Sequence, residues 1–155
     1  MKIIEGLKNY WKWRKIIYND SWWDSHFLFD IMRFKIEQME TGFRNHGWGV
    51  MSEKDADKMK ICKLLLDRII KDDYYDNVFK YHYEKWGESE FTWNDTENPE
   101  FVSLEITHKN AITDDDKIQE REEFRNLMGR EGVLKKQDID YLFKLMSKHI
   151  LYWWD

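Results

Sequence analysis

Between residues 21 and 47 the apolar positions return every three or four residues. Leu28, Met32, Ile36, Met39 and Phe43 fall on one line of a helix, with Phe27, Ile31 and Phe34 beside them. So wide an apolar band exceeds the needs of a surface helix, and the pattern predicts a central helix over residues 21–45. Ser21 followed by Asp24 has capping-box spacing, and Gly47 and Gly49 mark the stop. A second helix starts near Ser52, with Ala56, Met59, Cys62, Leu65, Leu66 and Ile69 on its buried side. No glycine occurs from Ser52 to Trp86, so this helix is free to continue, bent or straight, through Tyr74, Val78, Phe79 and Tyr83 to a stop at Gly87.

Thr113 and Asp116 repeat the cap spacing, and Asp114, Asp115 and Asp116 occupy the first turn, where the helix dipole favours negative charge. A last helix from about residue 136 places Ile139, Leu142, Phe143, Met146, Ile150 and Trp153 on one face. Gly129 and Gly132 are expected to make the turn before it. Around residues 87–112 the period changes: Val102, Leu104 and Ile106 alternate with Ser103, Glu105 and Thr107, as in a strand. With no obvious partner, the segment reads as an ordered non-helical loop or a single extended strand; a small hairpin with residues 91–93 is the alternative. The fold expected is all-α, a bundle of four to five helices with a long central helix, in one domain over residues 1–155. The single proline, Pro99, and only seven glycines agree with long helices.

Composition changes the picture in three ways. Hydrophobic residues make up 42% of the chain but charged ones 35%, which describes a helical protein with a heavily charged exterior. Nine tryptophans are more than a core of this size requires, so some are expected at a ligand or an interface. The one cysteine, Cys62, excludes an internal disulfide framework and fits a reducing compartment. It sits among apolar residues and reads as an inert buried thiol. No leader-like segment and no run of 18 apolar residues is visible, so the expectation is a cytoplasmic protein without a membrane span.

Charge is segregated. Residues 1–20 carry five Lys and Arg against two acids, and residues 54–71 carry six against three; residues 84–105 carry one against seven. Residues 114–123 are acidic again and residues 125–148 basic. These blocks either pair with each other, within one fold or across a homo-oligomer, or form a basic pocket for an anionic ligand. An acidic chain lacks the broad positive field that extended nucleic acid requires.

The most ligand-like stretch is NYWKWRK at residues 9–15. Trp11 and Trp13 are placed to stack on a base and Arg14 to hold a phosphate, unless the indoles pack on the bundle and the basic side chains reach outward. Lys60, Lys63, Asp67, Arg68 and Lys71 form a basic row suited to a phosphate-facing wall. His26, Asp30, Arg33, Glu37 and Arg44 form a row that serves as an ion-pair ladder or a pocket wall. Catalytic motifs are missing: the five histidines, 26, 46, 82, 108 and 149, have no zinc-motif spacing, and there is no phosphate-binding glycine loop. No metal or other cofactor is therefore expected. One enzyme reading stays open, magnesium held by converging carboxylates among Glu37, Glu40, Asp67, Asp72, Asp73, Asp76, Glu120 and Glu123.

In KQDIDYLFKLMSKHILYWWD, KICKLLLDRIIKDDYY and DSWWDSHFLFDIMRFKIEQM the chain resembles a group of small tailed-bacteriophage proteins that end in a helix closing on WWD. The resemblance implies a phage origin, the host cytoplasm and an all-helical domain, and it supplies no activity or site residues. The function expected is that of a phage accessory protein binding an anionic, nucleotide-like small molecule through Trp11, Trp13, Arg14, Lys60, Lys63 and Arg68, with sequestration of a host immune signal as one use. The alternatives are a host- or phage-protein interaction module and an all-α magnesium-dependent nucleotide pyrophosphatase. Trp153, Trp154 and Asp155 are expected to anchor the chain. Trp153 extends the buried stripe, while Trp154 points about 100° away, and the WWD end as a whole is expected to dock onto residues 9–15 of the same chain or a symmetry mate.

Overall fold

The computed structural model describes residues 2–18, 24, 26–47, 51–98 and 100–153. Along them run α1 (Lys2–Tyr18), α2 (His26–His46), α3 (Ser52–Lys71), α4 (Tyr74–Trp86), β1 (Ser89–Asp95), β2 (Val102–His108) and α5 (Asp114–His149). A short 3-10 turn, Ile150–Tyr152, follows α5. These elements gather into two compact units: Met1–Asp72 with Gln137–Asp155, and Asp73–Lys136. No described helix is long and apolar enough to cross a membrane.

In the first unit the core is built on α3. Ala56, Met59, Cys62, Leu66 and Ile69 recur on one face and are fully buried, against Ile36 and Phe43 of α2 and Leu142 of α5. Burying each of the larger side chains stabilises the fold by roughly 1.5–3 kcal/mol before entropy is counted. Trp153 joins this cluster at 2% exposure, on the stripe where its spacing placed it. The cluster draws on α2, α3 and α5, and the expected docking of the WWD end onto residues 9–15 falls partly on residues outside those described. Trp154 and Asp155 lie outside the described residues. Burial pushes the Cys62 thiol up to about 11, and with no exposed surface it is an inert core atom.

Helix ends follow local chemistry. Asp24 accepts a hydrogen bond from the His26 backbone N–H at 2.8 Å and so caps α2; Ser21, the other half of the expected box, lies outside the described residues. Gly47, in the left-handed region at φ 61°, ends α2 with its N–H on the Phe43 carbonyl. The second predicted helix divides at Asp72, which takes φ 50° and donates its N–H to the Arg68 carbonyl. Aspartate tolerates that conformation better than most residues, because its short polar side chain bonds locally. Gly87 ends α4 as expected. At φ 80° a side chain there would also press on Asn110 and Lys109 at 3.3 Å.

The second unit departs from the all-α expectation. Residues 87–112 hold an antiparallel hairpin, the alternative reading with residues 91–93, and not the loop or single strand, with Phe91 opposite Ile106 and Trp93 opposite Leu104. The partner of β2 is only faint in sequence because SEFTWND contains just two apolar residues, yet they alternate and meet the apolar side of β2 in register. The turn expected at Gly129 and Gly132 is likewise absent: α5 runs unbroken through both for 36 residues, about 54 Å. Each glycine costs an exposed helix roughly 1 kcal/mol relative to alanine, and the Arg, Glu, Leu and Lys around them are strong helix formers that offset it. α5 starts at the predicted box: the Thr113 N–H donates to Asp116 at 3.0 Å, and the Asp116 N–H donates to Thr113 Oγ1 at 3.1 Å.

Two outcomes follow from this packing. Trp153→Ala should cost about 3–5 kcal/mol in urea unfolding, whereas Tyr152→Ala, at a side chain 67% exposed, should stay within about 0.5 kcal/mol. Equal costs would place Trp153 outside the core. At the α5 cap, hydrogen bonds from the Thr113 side chain and backbone hold the Asp116 carboxyl below its ordinary value. A carboxyl depressed in the folded state adds stability above its unfolded pKa of about 4 and loses it as pH falls. Thr113→Ala should therefore lower the melting temperature by a few degrees at pH 7, with the gap to wild type closing in acid; a gap that persists unchanged at pH 2 would assign the loss to something other than the cap.

Candidate functional site

The residues proposed from sequence as one anion site do different jobs. Trp13 packs edge-on against Phe34 at 4.8 Å and is half-buried, whereas Trp11 is exposed and carries the Arg14 guanidinium 4.1 Å above its ring. Trp13 borders a cavity of about 280 Å³ with Phe34 and Met39, and Arg14 borders one of about 530 Å³ formed along α1 itself. Lys60, Lys63 and Arg68 line neither. Lys63 donates to Glu37 at 3.0 Å, and Arg68 pairs with Asp138 at 3.0 Å. Lys60 is exposed. The α2 row is an ion-pair ladder that reaches across to α3: Arg33 pairs with Glu37 and Asp67, and Arg44 with Glu40 and Asp57. Glu37, Glu40 and Asp67, three of the carboxylates considered for magnesium, are thus held by arginine or lysine.

A different set converges in the second unit. His82 of α4, His108 at the end of β2 and Glu120 of α5 are each at least nine-tenths buried, and their ligand atoms lie within 4.8 Å of one another. Among the described residues it is the one such group of three. Each arrives by the local pattern of its element. His82 follows Phe79 by three residues and precedes Trp86 by four, on the buried stripe of α4. His108 ends the alternating series Val102, Leu104, Ile106, and Glu120 lies four residues before Phe124 on α5. Rings of Phe79 and Phe124 wall the group, at 5.8 and 5.7 Å from the His82 ring, and the two imidazoles meet edge to face at 4.9 Å.

The distances carry the chemistry. His108 Nδ1 stands 2.9 Å and His82 Nε2 3.3 Å from the same oxygen of Glu120. Neither nitrogen, however, meets that oxygen at a hydrogen-bonding angle, and both are buried without another partner. Ligand atoms this close together, without hydrogen bonds between them, have the spacing of groups that share a cation. Atoms about 2.0–2.1 Å from a tetrahedral ion stand roughly 3.3 Å apart. The far side of the His108 ring has a partner, with Nε2 3.1 Å from Ser89 Oγ, and an oxygen behind a metal-binding imidazole orients it in this way. His82 Nδ1 stands 3.9 Å from Glu123, too far for a hydrogen bond, and is buried without a partner. Burial holds the His108 imidazole below its ordinary value against the pull of Glu120, which favours the neutral ring. Burial would raise Glu123, but hydrogen bonds from Trp86 and Lys85 outweigh it and keep the carboxyl low and ionised.

One side of the group is open. A cleft of about 320 Å³ is lined by His108 and Glu120 at its floor, by Ile106, Phe124 and Met128 as apolar wall, and by Arg121 and Arg125. Arg121 makes a long pair with Glu105 at 3.4 Å, and Arg125 is exposed. Sequence spacing missed this centre because its members are 26 and 12 residues apart on three elements. The available signal was a polar residue at a core position in each of three amphipathic patterns.

No family model, curated protein or solved structure matches the chain. The ladder between α2 and α3 yields a direct check: a double-mutant cycle on Lys63→Ala and Glu37→Gln should give a coupling of about 0.2–1 kcal/mol in thermal unfolding, and zero coupling would remove Lys63 from the fold and return it to the candidates for anion binding.

Proposed function

We propose that the protein binds a divalent transition metal at His82, His108 and Glu120 and, over that metal, an anionic nucleotide-like ligand. The observation that carries the reading is a group of two buried imidazoles and a buried carboxylate whose ligand atoms lie within 4.8 Å of one another, with imidazole nitrogens that have no hydrogen-bond partner. Two histidines and one glutamate leave a fourth tetrahedral position free, as in zinc sites that accept water or a ligand. Imidazole nitrogens suit zinc better than magnesium, which takes oxygen ligands and keeps its waters, so this ligand set lends nothing to the magnesium reading. The cleft supports the second half: Ile106, Phe124 and Met128 offer a base an apolar surface, and Arg121 and Arg125 offer a phosphate charge. The anion expected from sequence thus keeps its chemistry and changes its place.

Dialysed protein should take up one equivalent of Zn²⁺ by calorimetry, and Co²⁺ should give the visible absorption of a tetrahedral site. His82→Gln, His108→Gln and Glu120→Gln should each weaken uptake at least tenfold. With zinc bound, a panel of cyclic dinucleotides and ADP-ribose derivatives should raise stability by about 2.7 kcal/mol at 100 times Kd, and Arg125→Ala should abolish that gain without touching zinc. Absence of stoichiometric metal at neutral pH would end the metal reading. Zinc uptake with no response to any nucleotide would leave a structural metal and end the ligand reading.

A further inference from the structure

Two exposed apolar faces in this chain match each other in length, chemistry and opposite charge. The first is on α1. Trp13 and Ile16 face inward, but Ile3, Leu7, Tyr10, Trp11, Ile17 and Tyr18 are exposed, Leu7 at 56% and Trp11 at 58%. At 100° per residue these outward residues fall within an arc of about 120–140°, the width of a stripe that ordinarily packs against another element. Lys8, Lys12 and Lys15 flank it, and residues 2–18 hold five basic residues and one acidic.

The second face is on the hairpin. Alternate residues of a strand share a side, so Phe91, Trp93, Val102, Leu104 and Ile106 line one face, and all are exposed, Trp93 at 67%. Its surroundings are acidic: residues 88–105 contain six acids and no base. A helix of 17 residues is about 25 Å long and a seven-residue strand about 24 Å, so one face spans the other.

We infer that the α1 stripe of one copy docks on the hairpin face of a second copy. Helix-on-helix pairing of α1 with itself would oppose two basic flanks, whereas the hairpin supplies the missing acids. Each face is uncovered within its own unit, and an apolar face of this extent needs a cover. The contact joins two different surfaces, so every copy keeps one free face of each kind, and assembly proceeds to a ring or an open array, not to a two-fold dimer. Ile106 lies both on the docking face and in the wall of the cleft above His108 and Glu120, so the docked helix borders the ligand site. The docking itself stands independently of the metal reading.

The test is a mixing experiment read by light scattering. Wild type should exceed one-chain mass at low salt and fall toward it at high salt. Leu7→Asp and Trp93→Asp, both at exposed positions and both checked for unchanged helix content, should each be one-chain species alone. Mixed in equal amounts, they should form a two-chain complex and stop there, because one intact α1 meets one intact hairpin. Wild type at one-chain mass under all conditions overturns the proposal. So does assembly that survives Trp93→Asp while failing in Leu7→Asp, which would show α1 pairing with itself.

Discussion

The first unit depends on one stripe of α3. Its fully buried residues admit no water and no polar neighbour, so whatever faces them must be apolar and close-fitting. That demand sets the position of α2 through Ile36 and Phe43 and of the far end of α5 through Leu142 and Trp153. The ion pairs between α2 and α3 are secondary to it. Half-exposed pairs such as Lys63 with Glu37 add tenths of a kcal/mol, and their value lies in fixing which way two packed helices slide.

The second unit is organised by the opposite problem, a carboxylate and two imidazoles placed where apolar side chains would be more stable. Burying Glu120 behind Phe79 and Phe124 is costly unless something positive or proton-donating meets it. Folds keep such groups where they serve a purpose, and the metal site proposed at His82, His108 and Glu120 would give that purpose a chemical form. Ser89 holds the His108 ring, and Trp86 and Lys85 hold the Glu123 carboxylate beside the group.

Much of the fold was legible because its signals are local. The α3 stripe, the α2 stripe from Met32 onward, the Thr113–Asp116 box, the stop at Gly87 and the inward position of Trp153 each depend on residues a few places apart. Leu28 and Phe143, read as members of buried stripes, are 62% and 48% exposed because no described element covers the outer edge of either stripe there. What was not legible depends on distant partners or on sums of small terms. The hairpin required knowing that Phe91 and Trp93 would meet Ile106 and Leu104. The continuity of α5 required weighing two glycines against more than thirty other residues. In the site, Lys63 and Arg68 were read as free cations because Glu37 and Asp138, which neutralise them, are 26 and 70 positions away in sequence. His82, His108 and Glu120 were overlooked for the same reason in reverse, since each looks ordinary until the other two are beside it.

The division of the chain also orders events in time. The segment 73–136 is contiguous, but the first unit is interrupted by it and is completed by residues 137–153. During synthesis, therefore, the segment with the hairpin and the histidines is whole before the α3 stripe has Leu142 and Trp153 to close on. Until they emerge, Met59, Leu66 and Ile69 lack part of their cover, and the nascent chain displays an oily helix surface to any chaperone or neighbour within reach. A helix that belongs to both units thus makes the earliest-made core the last to be sealed.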